Sequence, residues 1–156
     1  MIIKDINEVK RDGVIVSTNG CFDLLHPGHI ETFRLAKEMG DILVVGINTD
    51  ASVQRLKGSS RPIKSQGARA IIVDAIKYVD YVFLFDDDTP CNWIQKLQPD
   101  IHVKGGDYSP TDYENMPEAK IIHGYGGKVH IVRTVGSYST SSYIKKIQNE
   151  TTRKHT

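Results

Sequence analysis

The sequence predicts an α/β fold in which one parallel sheet is covered by helices on both faces. Short apolar, β-branched runs alternate with amphipathic stretches from Val14 to Ile147, the order that builds parallel sheets. The runs are nearly continuous in apolar residues, as strands buried on both sides must be. At 156 residues the chain supports one core and leaves no room for a second.

Val14-Ile15-Val16-Ser17-Thr18 is the first strand, ended by the turn signal Asn19-Gly20. A helix then starts at Pro27, which suits a first helical position, sets Ile30, Phe33 and Ala36 on one stripe, and stops at Gly40. Ile42-Leu43-Val44-Val45-Gly46-Ile47 reads as a second strand and Asp50 to Leu56 as a short helix, which the polar turn Lys57-Gly58-Ser59-Ser60-Arg61-Pro62 ends. Ala68, Ile71, Ile72, Ala75 and Ile76 recur at helical spacing ahead of a third strand, Tyr81-Val82-Phe83-Leu84-Phe85. Thr89 is expected to cap a helix with Pro90 in its first position and Cys91 to Leu97 behind it; Ile101-His102-Val103-Lys104 follows as the fourth strand. About a dozen loop-like residues open at Gly105-Gly106, long enough to be a ligand loop or lid. A helical turn near Glu118 to His123 leads into the strand Val129-His130-Ile131-Val132, and Ser139-Thr140-Ser141-Ser142 caps a final helix through Ile144 and Ile147. The folded domain is expected over 1–148, with a polar tail at 149–156.

Composition narrows the function classes. Apolar content of 39% and charged content of 25% are those of a soluble globular protein, and no stretch approaches the roughly 18 apolar residues that a membrane span needs. A net charge of +1 supplies no general field for nucleic acid, so anion binding must come from local arrangement. Met1-Ile2-Ile3-Lys4-Asp5 lacks the layout of a secretion signal, and Cys21 and Cys91 have no metal or redox spacing; a cytoplasmic protein is expected. Neither nucleic acid nor membrane is an expected partner.

The chemistry concentrates at His26-Pro27-Gly28-His29. Unpaired N–H groups and the positive end of the dipole make a helix start an anion pocket, but the dipole contributes only about 0.3–1 kcal/mol, too little to drive phosphoryl chemistry. Two imidazoles three residues apart share a helix face and supply what the dipole lacks, and Gly28 between them lets an anion approach the backbone. Ligands of such sheets sit beyond the strand C-termini, where connections diverge. His26, the loop after Val103, and Ser139-Thr140 all fall at that edge.

With Thr18-Asn19-Gly20-Cys21-Phe22-Asp23-Leu24-Leu25-His26-Pro27-Gly28-His29 in view, the chain resembles the H-x-G-H nucleotidyltransferases. Arg55-Leu56-Lys57-Gly58-Ser59-Ser60-Arg61-Pro62, Asp88-Thr89-Pro90 and Val103-Lys104-Gly105-Gly106-Asp107-Tyr108 resemble the adenylyltransferase half of bacterial ADP-heptose synthases. That resemblance implies a Rossmann-like domain that joins ATP to a sugar 1-phosphate, D-glycero-β-D-manno-heptose 1-phosphate, releasing pyrophosphate. By the same likeness His26, His29 and Lys57 act on the phosphates as catalytic groups. Gly28, Ser139 and Thr140 hold the triphosphate; Gly105, Gly106, Asp107 and Tyr108 line base and ribose; Asn19, Cys21 and Phe22 sit near the substrates. Asp23, Arg61 and Arg133 are further candidates on the substrate side. Mg²⁺ is expected to arrive with ATP, without a protein metal cage, and a homodimer is expected from the family alone. Ser137 stands where relatives usually carry glycine, and Arg133-Thr134-Val135-Gly136 is similar to the Arg-Thr-x-Gly of glycerol-phosphate cytidylyltransferases.

Other readings stay open at this stage. The nearest is a cytidylyltransferase acting on glycerol 3-phosphate or another small phosphate; from a different class comes a nucleotide-binding sensor without turnover. Asp23, His26 and His29 also have spacing that a metal would accept, while His102, His123 and His130 read as surface or internally satisfied histidines. Cys21 reads as a small packed residue and not as a nucleophile.

Overall fold

Five strands pair in parallel in the order β3-β2-β1-β4-β5: β1 (Ile15–Gly20), β2 (Ile42–Asn48), β3 (Tyr81–Phe85), β4 (Ile101–Gly105) and β5 (Lys128–Val132). The computed structural model describes residues 1–106, 109–133 and 138–153. Among the described residues, seven α-helices connect and follow the strands: α1 (Pro27–Glu38), α2 (Asp50–Lys57), α3 (Gln66–Asp74), α4 (Cys91–Leu97), α5 (Pro110–Glu114), α6 (Pro117–Gly124) and α7 (Thr140–Arg153).

Alternating side chains along each strand feed two cores. Val16, Leu43, Val45, Ile47 and Val82 pack with Phe33 and Ala36 of α1 and Ala70 and Val73 of α3. Ile15, Val44, Tyr81, Phe83 and Phe85 face the other way, onto Trp93, Ile94 and Leu97 of α4 and Ile122 of α6. Helices therefore cover both faces, as the sequence predicts. From β1 the sheet grows one way through β2 and β3 and the other way through β4 and β5, which makes the C-terminal ends of β1 and β4 the switch point where such sheets take ligands. The end of β4 must pass close to α1: a Cβ on Gly105 would stand 2.6 Å from Thr32 Oγ1.

Several local expectations are corrected. The inward face of α3 is Arg69, Ala70 and Val73, whereas Ile71 is 64% exposed. The helix is rotated because the Arg69 guanidinium is itself wanted inside, where it holds three oxygens described below. The long loop after Gly105 contains α5, started by a capping box in which Ser109 and Asp112 serve each other's backbone. Pro90 is the N-cap of α4 and not its first residue, so Thr89 does not cap it. Helix α7 runs past Ile147, the last residue assigned to it from sequence, to Arg153. A short 3-10 helix, Ile6–Glu8, was not anticipated, although Asp5 and Glu8 spell its capping box.

Candidate active site

Two adjoining cavities open at the ends of β1 and β4. The first, about 330 Å³, is lined by Asn19, Cys21, Phe22, His26, Gly28, His29, Gly105, Gly106, Ser139 and Thr140, and also by Thr18, Gly20, Thr32 and Tyr138. The second, about 460 Å³, shares Asn19 to Phe22, His29, Gly105 and Thr140 and adds Asp23, Lys57, Arg61, Lys104 and Ser141. Each volume suits one small ligand, and the shared residues make them two lobes of one cleft.

The first lobe is built by the β1–α1 turn. Phe22 adopts a left-handed backbone (φ 48°), uncommon for a residue with a side chain, and so turns its ring inward against Phe33 and edge-on to His29, 5.3 Å away. His26 is the N-cap of α1, yet its ring makes no bond to the first turn. The His29 and Ile30 N–H groups both reach the His26 carbonyl, so Gly28 keeps the unpaired first-turn donor among the described residues.

The two imidazoles stack at 3.8 Å between centroids, 22° from parallel. Two charges about 4 Å apart repel by about 4 kcal/mol at an effective dielectric of about 20, so the pair does not hold two protons together. Burial lowers the basicity of His26; burial, with a smaller contribution from the charge of His26, pushes His29 down to about 4. Both rings are thus neutral near pH 7. Nδ1 of each is buried without a partner, and both rings line the cleft. A neutral ring with its proton on Nε2 is a hydrogen-bond donor that leaves no unpaired N–H in the interior.

This arrangement carries a stability signature. The unfolded His29 takes up a proton near pH 6.5, whereas the folded one resists until about pH 4. Its contribution is therefore complete above pH 6.5 and is lost as pH falls from 6.5 to 4, because the unfolded chain then binds more protons. His102, fully buried with Nδ1 2.7 Å from Ser17 Oγ, is held neutral by burial and by the Lys104 charge, and adds to the same limb. Melting temperatures across this range should fall less steeply for His29→Asn than for the unmodified chain; parallel curves would rule out the buried neutral ring.

The start of α7 closes the lobe. Ser139 Oγ accepts from the Ser142 N–H, leaving its hydroxyl proton free to donate. Thr140 Oγ1 donates to the Leu24 carbonyl at 3.2 Å, so it ties α7 to the approach of α1 and offers a ligand only its lone pairs. Tyr143 stacks beyond His26 at 6.4 Å.

The second lobe is cationic. Lys57 ends α2, with Gly58 behind it at φ 97°, and makes no ion pair among the described residues. Asp23 lines this lobe but is engaged by its own loop. Its side chain is fully buried and accepts from Arg61 Nε at 2.7 Å and from the N–H groups of Ile63 and Lys64. Burial pushes this carboxyl up, but the Lys64 and Ile63 N–H groups and Arg61 outweigh it and hold it below the ordinary carboxylate range. Asp23 is thereby committed to the 61–64 loop, not to a cluster with the histidines; the described residues contain no set of three His, Cys, Asp or Glu side chains arranged for a metal.

Arg69, which matches the arginine of the family pattern, is a site residue to which sequence reasoning gave no role. It is fully buried and donates to the Cys21 carbonyl (2.5 Å), the Lys64 carbonyl (3.1 Å) and Asp50 (2.9 Å), locking the β1–α1 turn to α2 and the 61–64 loop. Burial raises the Cys21 thiol above its ordinary value, so it stays protonated. Arg133 is exposed and lines neither lobe. Asp107, Tyr108 and Ser137 lie outside the described residues.

A family model described as cytidylyltransferase-like matches residues 17–151. The chain belongs to the cytidylyltransferase-like family. It is 46% identical over 147 residues to the bifunctional protein HldE of Syntrophotalea carbinolica, a match covering 93% of this chain and 29% of that protein. With HldE of Citrifermentans bemidjiense it shares 50% over 140 residues, 90% of this chain and 28% of the other. The chain thus spans under a third of the length of these curated relatives. Among solved structures, a lipopolysaccharide core biosynthesis protein from Thermoplasma volcanium is similar at TM-score 0.64 and 31% identity, over 81% of this chain and 99% of that one. The fold class and the resemblance drawn from the motifs both stand.

Proposed function

We propose that this chain is a nucleotidyltransferase that joins ATP to D-glycero-β-D-manno-heptose 1-phosphate, giving ADP-heptose and pyrophosphate. The observation that carries this reading is the stacked, neutral pair His26 and His29 at the junction of a helix start and a cationic lobe, in a family member whose curated relatives are HldE proteins.

The acceptor phosphate is already anionic near neutral pH, so the reaction needs alignment and charge stabilisation and no general base. An acceptor oxygen attacks the α-phosphorus in line, the bond to the bridging oxygen breaks, and the electron pair leaves on pyrophosphate. In this reading His26 and His29 donate from Nε2 to the charge that grows on the phosphates, helped by the Gly28 N–H and the α1 dipole. Ser139 donates from the start of α7, and Thr140 holds the two helix starts together. Lys57 and Arg61 draw the acceptor phosphate into the second lobe, with Asn19 and Cys21 between the lobes. Gly105 and Gly106, with Asp107 and Tyr108, bound the nucleoside end. Arg133 is left without a role. Mg²⁺ would travel on the triphosphate oxygens and water, which suits a cleft in which the lining carboxylate among the described residues, Asp23, is already committed. The substrates are soluble and no helix of the described residues is long and apolar enough to cross a membrane, in keeping with a cytoplasmic enzyme. A homodimer and a domain over 1–148 belong to the same reading.

Pyrophosphate release across ATP, CTP, GTP and UTP, each with heptose 1-phosphate and with glycerol 3-phosphate, tests it. Release with ATP and the heptose phosphate is the expected result. Release only with CTP and glycerol 3-phosphate would replace this reading with the cytidylyltransferase one, and nucleotide binding without any release would leave a sensor.

A further inference from the structure

Lys104 lines the second lobe and Glu118 lies behind it, paired with it, and neither has a part in the chemistry above. Lys104 sits near the end of β4 and Glu118 in the first turn of α6, at opposite ends of the segment that carries Gly105 and Gly106. Lys104 Nζ lies 2.6 Å from Glu118 Oε1, and both side chains are nearly buried, 15% and 7% exposed. The same ammonium donates to Asn19 Oδ1 at 3.3 Å. Asn19 is the penultimate residue of β1 and lines both lobes.

We infer that Glu118 and Lys104 are positioning residues that orient the Asn19 amide as a hydrogen-bond donor at the junction of the two lobes. An ammonium has three N–H bonds and no acceptor, so it accepts only the oxygen end of the amide as a neighbour. The NH₂ end is thereby turned away from Lys104, and it has no protein partner among the described residues. An isolated Asn is free to flip and would meet an anion with its oxygen half of the time; one pinned by Lys104 meets it with N–H. Glu118 fixes Lys104 in turn, since a lysine with four rotatable bonds would otherwise reach past Asn19 to any anion in the second lobe. It also neutralises that charge. With Arg61 paired to Asp23 and Lys104 to Glu118, Lys57 is the remaining unpaired cation of the lobe among the described residues. A phosphate is therefore drawn toward Lys57, on the α2 side, and meets the Asn19 amide at the junction.

The inference rests on the proposed function and is tested by a mutant cycle. Asn19→Ala, Lys104→Met and Glu118→Gln are measured singly, and the last two again in the Asn19→Ala background, for kcat and KM with ATP and heptose 1-phosphate. Each single change should lower kcat/KM for the acceptor by about tenfold, within the range for coupled neighbours. In the Asn19→Ala background Lys104→Met and Glu118→Gln should each cost less than about twofold, because the amide they orient is gone. Lys104→Arg should restore most of the loss. If Lys104 and Glu118 merely staple the 105–117 segment, their cost will be the same in both backgrounds, and the inference is overturned. Lys104→Met strands a nearly buried carboxylate, so the double change Lys104→Met with Glu118→Leu, checked by thermal melting, separates misfolding from misorientation. Should the unmodified chain fail to turn over heptose 1-phosphate, the proposed function falls by itself. The cycle is then read from the MgATP dissociation constant by calorimetry, where about threefold, non-additive losses uphold the inference and multiplicative losses overturn it. Absence of MgATP binding overturns both.

Discussion

His29→Ala should lower kcat for pyrophosphate release by about 10² to 10³ while leaving the MgATP dissociation constant nearly unchanged, the signature of a donor that acts on charge developing in the transition state. The structure supplies the reason for placing the effect on kcat. With its pKa pushed down to about 4, His29 is neutral over the working range, so in the proposed reaction it would make only a modest bond to ground-state ATP. The bond strengthens when negative charge moves onto the leaving phosphates, and it does so without solvent having to reorganise. A second consequence separates this role from general acid or base chemistry: kcat/KM should show no titration of His29 between pH 6 and 8, because in the free enzyme the group changes protonation near 4. The ring is also wedged between His26 and the edge of Phe22, so its loss leaves space. His29→Asn, which refills part of that space and keeps an N–H, should retain more rate than His29→Ala. Equal turnover by the alanine variant, or a bell-shaped profile centred near pH 6.5, would refute the neutral-donor role.

The sheet and the cleft edge were legible because each rests on a local signal. Continuous apolar runs mark strands buried on both faces, and the Pro27 and Ser139 signals mark the two helix starts that bound the first lobe. What escaped was set by partners far away in sequence. Nothing near Arg69 announces that its guanidinium will be wanted by Cys21, Lys64 and Asp50, so periodicity assigned the inward face of α3 to Ile71 instead. The partners of Asp23 were hidden for the same reason: its three-residue spacing from His26 left a metal reading open as an alternative, while the 61–64 loop claims its oxygens from about 40 residues away. Lys104 gave no signal as a single polar residue at a strand end, and its relation to Glu118 needs the whole of α5 to be folded in between. The α5 helix was missed even though its Ser-Pro-Thr-Asp start is a local signal, because the length of the loop outweighed it.

Asp23→Asn should destabilise the fold by about 3–5 kcal/mol, the range for removing one partner of a buried ion pair. For a chain of this length each kcal/mol moves the melting temperature by about 2–4 °C, so a fall on the order of 10 °C is expected. The cost is large because every side-chain bond of Asp23 depends on a carboxylate. The N–H groups of Ile63 and Lys64 and the Nε of Arg61 all donate to it, and an amide replaces one acceptor oxygen with a second donor facing them. Arg61 then keeps its charge at 15% exposure without a counter-ion. Function should change in a way that tells the lobes apart. The 61–64 loop follows directly on Lys57 and Gly58, so its release takes the lobe's cations out of register and should raise the acceptor KM, while ATP binding at the α1 start is largely kept. The pH dependence is separable as well. Because the folded pKa of Asp23 lies below its unfolded value, its contribution is present above about pH 4 and is lost as pH falls further, after the histidine limb between 6.5 and 4 has run its course. Asp23→Asn should therefore flatten the acid limb below pH 4 and leave the one above it in place. A variant that melts within 2 °C of the parent, with its acid limb intact, would show that the 61–64 loop is held by something other than this carboxylate.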